Sequence, residues 1–397
     1  IMTFPNETLP KGRKQKTTAL YDRFVNQGAV MGDGFGLESV LWFANNKEDA
    51  FEEPTIKRSR SHSYVSKEVI NVRENVGVME LANFSKHEFK GPDSKKFLDY
   101  VMAGKLPKPG RISLSPMLTK KGKLYGDLTI ACMDENEYMI FGSGAAQEMH
   151  RRWFESHLGK FNVKYKNRSD EFHGLAISGP KSREVLQKVV REEVSNKSFK
   201  FRDSKRMYVA GVPAIVNRIS FTGELGYEIY VAPHYQLKLY EELTDSGKEF
   251  NIKPFGLRAL MSMRLEKNWG AWTLDYRPDF TAKETGLDTF INWDKEFIGK
   301  KFAKDDNSRN KLTPIIVETN EIDVTYNEAV LKNDKAIGYI TSGGFAHFVN
   351  KSIAFSYLDT NELNSGKGIQ VEINGDLFNC SIIKEPLYDP SGQKMRN

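Results

Sequence analysis

Arg218-Ile219-Ser220-Phe221-Thr222-Gly223-Glu224-Leu225-Gly226-Tyr227-Glu228-Ile229-Tyr230 places two short strand-like runs on either side of a glycine-bearing turn. Runs joined in this way predict an antiparallel β-hairpin. With Gly223 to Gly226 as a four-residue connection, Phe221 falls directly opposite Glu228 on one face, with Cβ atoms about 5 Å apart. A carboxylate then lies beside an aromatic ring. That pair suits a flat heterocycle presenting adjacent ring N–H and amino donors, because the carboxylate accepts both bonds while the ring covers the apolar face. A pterin is such a ligand. A surface glutamate on an exposed hairpin gives the same spacing, so both readings stay open.

A second carboxylate lies in Lys123-Leu124-Tyr125-Gly126-Asp127-Leu128-Thr129-Ile130. Strand alternation predicts Leu124, Leu128 and Ile130 on one face and Tyr125, Asp127 and Thr129 on the other. Asp127 therefore shares a face with polar groups able to frame a site, although a solvated strand face carries the same pattern. Farther on, Pro254 and Gly256 introduce a helix over Leu257 to Lys267 with an apolar stripe of Leu257, Leu260, Met261 and Leu265. At about 100° per residue Arg264 falls inside that stripe and Glu266 points the other way. An arginine so placed needs either a structural carboxylate partner or a substrate carboxylate.

From about Thr55 to Asn292 strand-like and helical patterns intermingle, which predicts an α+β body rather than a Rossmann or barrel repeat. Phe89-Lys90-Gly91-Pro92-Asp93 and Ile177-Ser178-Gly179-Pro180-Lys181 each set a Gly-Pro turn between a strand-like and a helical run, the mark of a weak internal duplication. After Phe297-Ile298-Gly299 short strands take over, at Thr313 to Glu318, Ala336 to Ile340, Lys351 to Tyr357 and Gln370 to Ile373. These predict a C-terminal β-barrel domain. The resulting division is residues 1–50 as an arm or linker, 51–295 as a body of two subdomains, and 296–397 as the barrel. Ile1 to about Thr18 is polar, Lys- and Pro-bearing and without periodicity, so it reads as extended or poorly ordered. A start on Ile1 reads as a fragment.

Composition bounds the function. The 397 residues are 39% hydrophobic and 28% charged, the balance of a water-soluble globular protein. No apolar run approaches the roughly 18 residues of a membrane span, and no secretory leader pattern opens the chain. The charge of +6, from 58 basic against 52 acidic residues, is interspersed and gives no nucleic-acid footprint. Cys132 and Cys380 lack any C-x-x-C context, so neither a disulfide framework nor zinc is expected, and a reducing compartment is. The seven histidines show no ligand spacing, which predicts no metal site. Gly142-Ser143-Gly144-Ala145-Ala146 lacks the third glycine and acidic residue of a dinucleotide fingerprint, Gly32-Asp33-Gly34-Phe35-Gly36 follows no buried strand, and no Walker motif occurs. No G-x-S-x-G elbow supports a serine nucleophile.

Taken in order, several segments resemble the glycine-cleavage T-protein (aminomethyltransferase) family, and most nearly the C-terminal folate-binding half of dimethylglycine and sarcosine dehydrogenases. They are Tyr21-Asp22-Arg23, Gly28-Ala29-Val30, Gly77-Val78-Met79-Glu80-Leu81, Phe89 to Asp93, Gly126-Asp127-Leu128-Thr129, Ile177 to Pro180 and Thr222 to Glu228, continuing with Ser262-Met263-Arg264-Leu265-Glu266-Lys267, Glu284-Thr285-Gly286-Leu287, Phe297 to Lys300, Gly338 to Gly343 and Lys351 to Ala354.

The resemblance implies a three-domain fold around a folate channel, with Asp127 near the reacting nitrogens and Glu228 holding the pterin. Leu114, Phe221, Tyr227 and Arg264 follow as further expected folate contacts. Leu114 and Phe221 stand where the family usually has tyrosine. The implied reaction is capture by tetrahydrofolate of a one-carbon unit from a methylated amine or its iminium intermediate, giving methylenetetrahydrofolate. A flavin-dependent dehydrogenase partner or domain is implied too, since this chain offers no flavin site of its own. The implied setting is cytoplasmic, or the mitochondrial matrix in a eukaryote. Transfer of a methyl group from a small methylated zwitterion, or a non-catalytic scaffold on the same fold, are the alternatives.

Overall fold

Gly91 and Gly179 explain why two strands turn so sharply into helices. Both adopt positive φ, 138° and 133°, and a Cβ at either would fall 2.5 and 2.4 Å from the backbone oxygens of Asn162 and Asn75. Only glycine fits there. Proline follows each with its φ pre-set, and the chain enters a helix. The computed structural model, which describes residues 12–361 and 368–397, places these turns in two different sheets. Of the arm expected over Ile1 to Thr18, residues 1–11 lie outside the described residues.

One sheet has six strands in the order β10 (Ser204–Val209), β11 (Val212–Asn217), β12 (Gly226–Val231), β9 (His173–Ser178), β3 (Val76–Glu80) and β13 (Ile252–Pro254). The other has five, in the order β5 (Arg111–Leu118), β6 (Leu124–Asp134), β7 (Glu137–Ser143), β4 (Phe84–Lys90) and β8 (Lys164–Asn167). Alternate residues of the first sheet, among them Leu175, Ile177, Tyr227, Ile229 and Val231, bury against α5 (Ser182–Val189) and α6 (Gln236–Ser246). Leu128, Ile130 and Ile140 of the second sheet bury against α3 (Ser94–Val101) and α4 (Gln147–Leu158). The remaining faces meet each other through Ile112, Ala131, Met139, Phe141, Ile215 and Tyr230. A helix–sheet–sheet–helix body results.

The segment expected as an arm does not stay apart. After α1 (Tyr21–Asn26), strands β1 (Ala29–Gly34) and β2 (Leu37–Phe43) form a hairpin. Val30, Trp42 and Ala44 pack against Val65, Val69 and Val72 of α2 (Ser61–Glu74) and against Phe255, Ala259 and Met263 at α7 (Leu257–Glu266). Its alternating apolar residues are the physical reason, since each needs a core to enter.

Strands β14 (Asn310–Val317), β17 (Lys351–Asp359), β16 (Lys335–Ala346), β15 (Ala329–Lys332), β18 (Ile369–Ile373) and β19 (Asp376–Ile382) close a six-stranded barrel. Every predicted barrel strand overlaps one of them, Thr313 to Glu318 running one residue past the end of β14. Helix α7 runs as predicted, but Glu266 is fully buried. Its carboxylate meets the Arg73 guanidinium at 2.6 Å, and Arg73 also holds Glu224 at 2.9 Å and the Thr222 carbonyl at 2.7 Å. The Tyr388 hydroxyl donates to Glu224, and its ring lies 3.8 Å from the guanidinium carbon. One buried cation thus joins α2, the loop before β12, α7 and the C-terminal segment. Arg73→Ala leaves two buried carboxylates uncompensated and is expected to cost about 3–5 kcal/mol in denaturant unfolding. A loss below about 1 kcal/mol would show that the network does not hold the fold together.

Candidate active site

Strand β6 carries Asp127 on the surface that faces the other sheet. Leu114 and Pro116 of β5 stand across from Thr129 and Asp127, and Phe141 of β7 stands across from Thr129. Paired residues share a face. The alternation expected from the sequence breaks at the bulge: Met117 pairs with Gly126 and Leu118 with Leu124, so Tyr125 is an extra residue, and Leu124 enters the core of Leu118 and Ala103 rather than that of Leu128 and Ile130. The Tyr125 ring turns away from Asp127 and packs on Trp153 of α4, ring centroids 4.5 Å apart. A bulge re-aims a side chain in this way.

Asp127 is half-buried, and no side chain hydrogen-bonds or ion-pairs with it among the described residues. Burial pushes its carboxyl up to about 7. The Tyr276 phenol is held above its ordinary range by burial and then by the charges of Asp127 and Asp275, which places it beside the site. Leu114, Trp272 and Tyr276 all pack against one apolar cluster that includes Leu118, Leu124 and Leu287.

Glu228 lies on β12, across from Asn217 on β11 and Ala176 on β9. The predicted pairing with Phe221 is corrected by this register. Strand β11 ends at Asn217, and residues 218–225 form a wider loop. Its hydroxyls hold it open: Ser220 and Thr222 bond at 2.6 Å, while the Thr222 and Glu224 N–H groups donate back to Ser220 Oγ and Thr222 Oγ1. Such local bonds compete with a strand. Phe221 instead stacks on Trp269, centroids 5.6 Å apart.

The neighbours of Glu228 are others. Tyr230, two residues on and so on the same face, donates its hydroxyl to Glu228 Oε2 at 2.9 Å and stacks on Phe141 at 4.6 Å. Burial raises the Glu228 carboxyl to about 7, against the opposing pull of Tyr230 and the Lys86 charge. Lys86 is fully buried, donates to the carbonyls of Leu81 and Ala82, and is pushed down to about 7 by burial. The sequence reading missed both. Alternation from Glu228 reaches Tyr230 directly, whereas Lys86 gives no signal until β4 is known to lie between two other strands.

Two further expectations are corrected. Tyr227 points to the opposite face of its strand, fully buried beside Phe199 in the core against α5 and α6, because neighbours on a strand alternate. Arg264 is buried and bonds Asp275 Oδ2 at 2.7 Å, Ser342 Oγ at 2.8 Å and the Trp269 carbonyl at 3.0 Å. Asp275 also accepts from Thr341 and Ser342 of the barrel. Arg264 is thus a structural pair, with its terminal nitrogens turned to protein groups. Among the described residues no cluster of His, Cys, Asp or Glu has metal-holding geometry, no helix is long and apolar enough to cross a membrane, and Cys132 and Cys380 are unpaired.

Residues 20–295 match the family model described as the GCVT N-terminal domain, and residues 310–389 match the glycine cleavage T-protein C-terminal barrel domain. The chain belongs to the glycine cleavage T-protein family. Aminomethyltransferases of this family are folate-dependent transferases. The chain is 34% identical over 396 residues to the mitochondrial dimethylglycine dehydrogenase of Homo sapiens, covering 98% of this chain and 46% of that one. It therefore spans about half the length of such curated relatives. It is 30% identical over 330 residues to an aminomethyltransferase of Caldanaerobacter subterraneus, 81% of this chain and 87% of the other. The crystal structure of the glycine cleavage system aminomethyltransferase T from Bartonella henselae superposes with a TM-score of 0.82 at 21% identity, covering 95% and 99% of the two chains, which shows a shared fold.

The raised carboxyls of this T-protein relative carry a signature. A carboxyl whose folded value lies above its unfolded one binds extra protons in the native state, so its contribution to stability is present below about pH 4 and is lost as pH rises through about 7. Glu228→Gln removes one such group. The difference in stability between variant and parent should grow in the variant's favour from pH 5 to pH 8 in urea titrations, and a difference independent of pH would contradict the raised value. Arg264→Met should lower the midpoint of the same titrations and, because the loop after α7 is held through Asp275, weaken tetrahydrofolate binding along with it; an unchanged midpoint with lost affinity would return Arg264 to the site.

Proposed function

We propose that this chain is a one-carbon transferase of methylated-glycine breakdown. It passes the carbon of a dimethylglycine- or sarcosine-type iminium intermediate to tetrahydrofolate, giving 5,10-methylenetetrahydrofolate. One observation carries the proposal: two half-buried carboxylates, Asp127 and Glu228, without an ion-pair partner among the described residues, stand on the facing surfaces of two sheets. The 34% identity to a dimethylglycine dehydrogenase over 98% of the chain supports the choice of amine.

The residues fit a folate. Glu228 keeps acceptor capacity beyond its bond to Tyr230, enough for a ring N–H and an amino group side by side. Phe141 and Tyr230 supply stacked rings next to it, and Tyr276 stands beside Asp127. Bound tetrahydrofolate supplies two nucleophilic nitrogens, N5 and N10, which form two new bonds to the one-carbon unit while the carbon–nitrogen bond to the amine breaks, and whose two protons end on the released amine. Asp127, poised near neutrality, takes a proton as a folate nitrogen bonds to carbon and returns it to the departing amine. Its negative charge also favours cationic iminium character as that develops. Oxidation of the methylated amine to the iminium falls to a flavin-dependent dehydrogenase partner or domain. The two unpaired cysteines fit the reducing interior of a cytoplasm or mitochondrial matrix.

Calorimetric titration with tetrahydrofolate tests the binding half, and the rate of methylenetetrahydrofolate formation from formaldehyde-treated N-methylglycine, above the uncatalysed background, tests the chemical half. Asp127→Asn should keep the heat of binding and lose about 100-fold or more in rate. Glu228→Gln should lose most of the heat. No heat with the parent protein, or an Asp127→Asn variant retaining most of its rate, would overturn the reading.

A further inference from the structure

The bulge beside Asp127 is held from behind. Around Asp127 the sheet itself grips β6 weakly: Tyr125 has no partner on β5, Pro116 across from Asp127 has no N–H to donate, and pairing with β7 begins only at Thr129. The Tyr125 carbonyl is instead bonded by His150 Nε2 of α4 at 2.9 Å. A carbonyl only accepts, so Nε2 carries the proton and Nδ1 the lone pair. Burial keeps the ring neutral, with its pKa lowered to about 4.

Gly126 makes room for this approach. A Cβ there would lie 3.1 Å from His150 Nε2, closer than most side-chain contacts. The imidazole, 1% exposed, also lies 5.7 Å from the ring of Trp272, in the loop that brings Tyr276 beside Asp127. One side chain therefore touches the peptide two residues before Asp127 and the loop that covers it.

We infer that His150 is a positioning residue for the transfer reaction: it locks the β6 bulge, and with it the direction of the Asp127 carboxylate, without touching the substrate. The inference rests on the catalytic reading of Asp127 given above. A bulge left without this bond relaxes toward regular pairing, and a one-residue shift sends Asp127 to the opposite face.

His150→Leu removes the donor at similar bulk, and His150→Gln restores an N–H near the Nε2 position. In the full chain His150→Leu should lower the transfer rate about 10- to 100-fold, leave the calorimetric affinity for tetrahydrofolate unchanged because Glu228 is untouched, and be rescued to near the parent rate by His150→Gln. Equal rates for the Leu and Gln variants, or a loss of affinity matching the loss of rate, would overturn the inference. Should the Leu variant fail to accumulate folded, His150→Asn, whose amide is too short to reach Tyr125, takes its place under the same criteria. Asp127→Asn measured alongside separates the two claims. If that variant is inactive while His150→Leu keeps its rate, only the positioning role falls; if Asp127→Asn keeps its rate, the reading of Asp127 falls and the inference with it.

Discussion

The pair formed by Arg264 and Asp275 is the tie on which the site's geometry depends. Both groups are buried, and breaking such a pair leaves a charge that the interior cannot solvate. Arg264 belongs to α7, Asp275 to the loop that follows, and Thr341 and Ser342, which bond Asp275, to the barrel. The Tyr357 hydroxyl adds a bond to the Asp275 carbonyl at 2.7 Å. That loop delivers Trp269 to Phe221 and Tyr276 to the side of Asp127, so the wall beside Asp127 is anchored through one ion pair. The barrel shapes the site by fixing the loop that lines it.

Much of this was legible from local pattern. The barrel strands, α7 and the two Gly-Pro turns were readable because each depends on spacing within a few residues. The carboxylates stood out for the same reason, as charged groups inside strand-like runs. What escaped was whatever depends on a second segment. The width of the loop before β12 follows from hydroxyl bonds at Ser220 and Thr222 and from the grip of Arg73 on Thr222 and Glu224, neither visible in alternation. The Tyr125 bulge arises from the pairing of β6 with β5, and alternation counted along β6 alone passes straight through it. Arg264 was readable as a buried cation in need of a partner, but the partner's identity had to come from the fold.

On the proposed reading, the two sheet faces divide ligand binding from proton transfer. Glu228 lies among rings and apolar groups suited to a flat ligand, while Asp127 lies where the strand is bulged and the covering loop comes from elsewhere in the chain. Both carboxyls are shifted by burial rather than by a neighbouring charge. A carboxyl raised in this way can change its protonation near neutral pH, as transfer between nitrogens requires.

The hairpin of β1 and β2 carries a consequence for how the polypeptide comes apart. Asn45 to Glu48, just after it, are exposed, while Leu20, Phe24 and Trp42 before them are almost wholly buried in cores built mainly by later residues. Covalent continuity and spatial belonging therefore part company at this connection. A protease that nicks it would leave two pieces still bound by their shared apolar interior, migrating as one particle until a denaturant separates them.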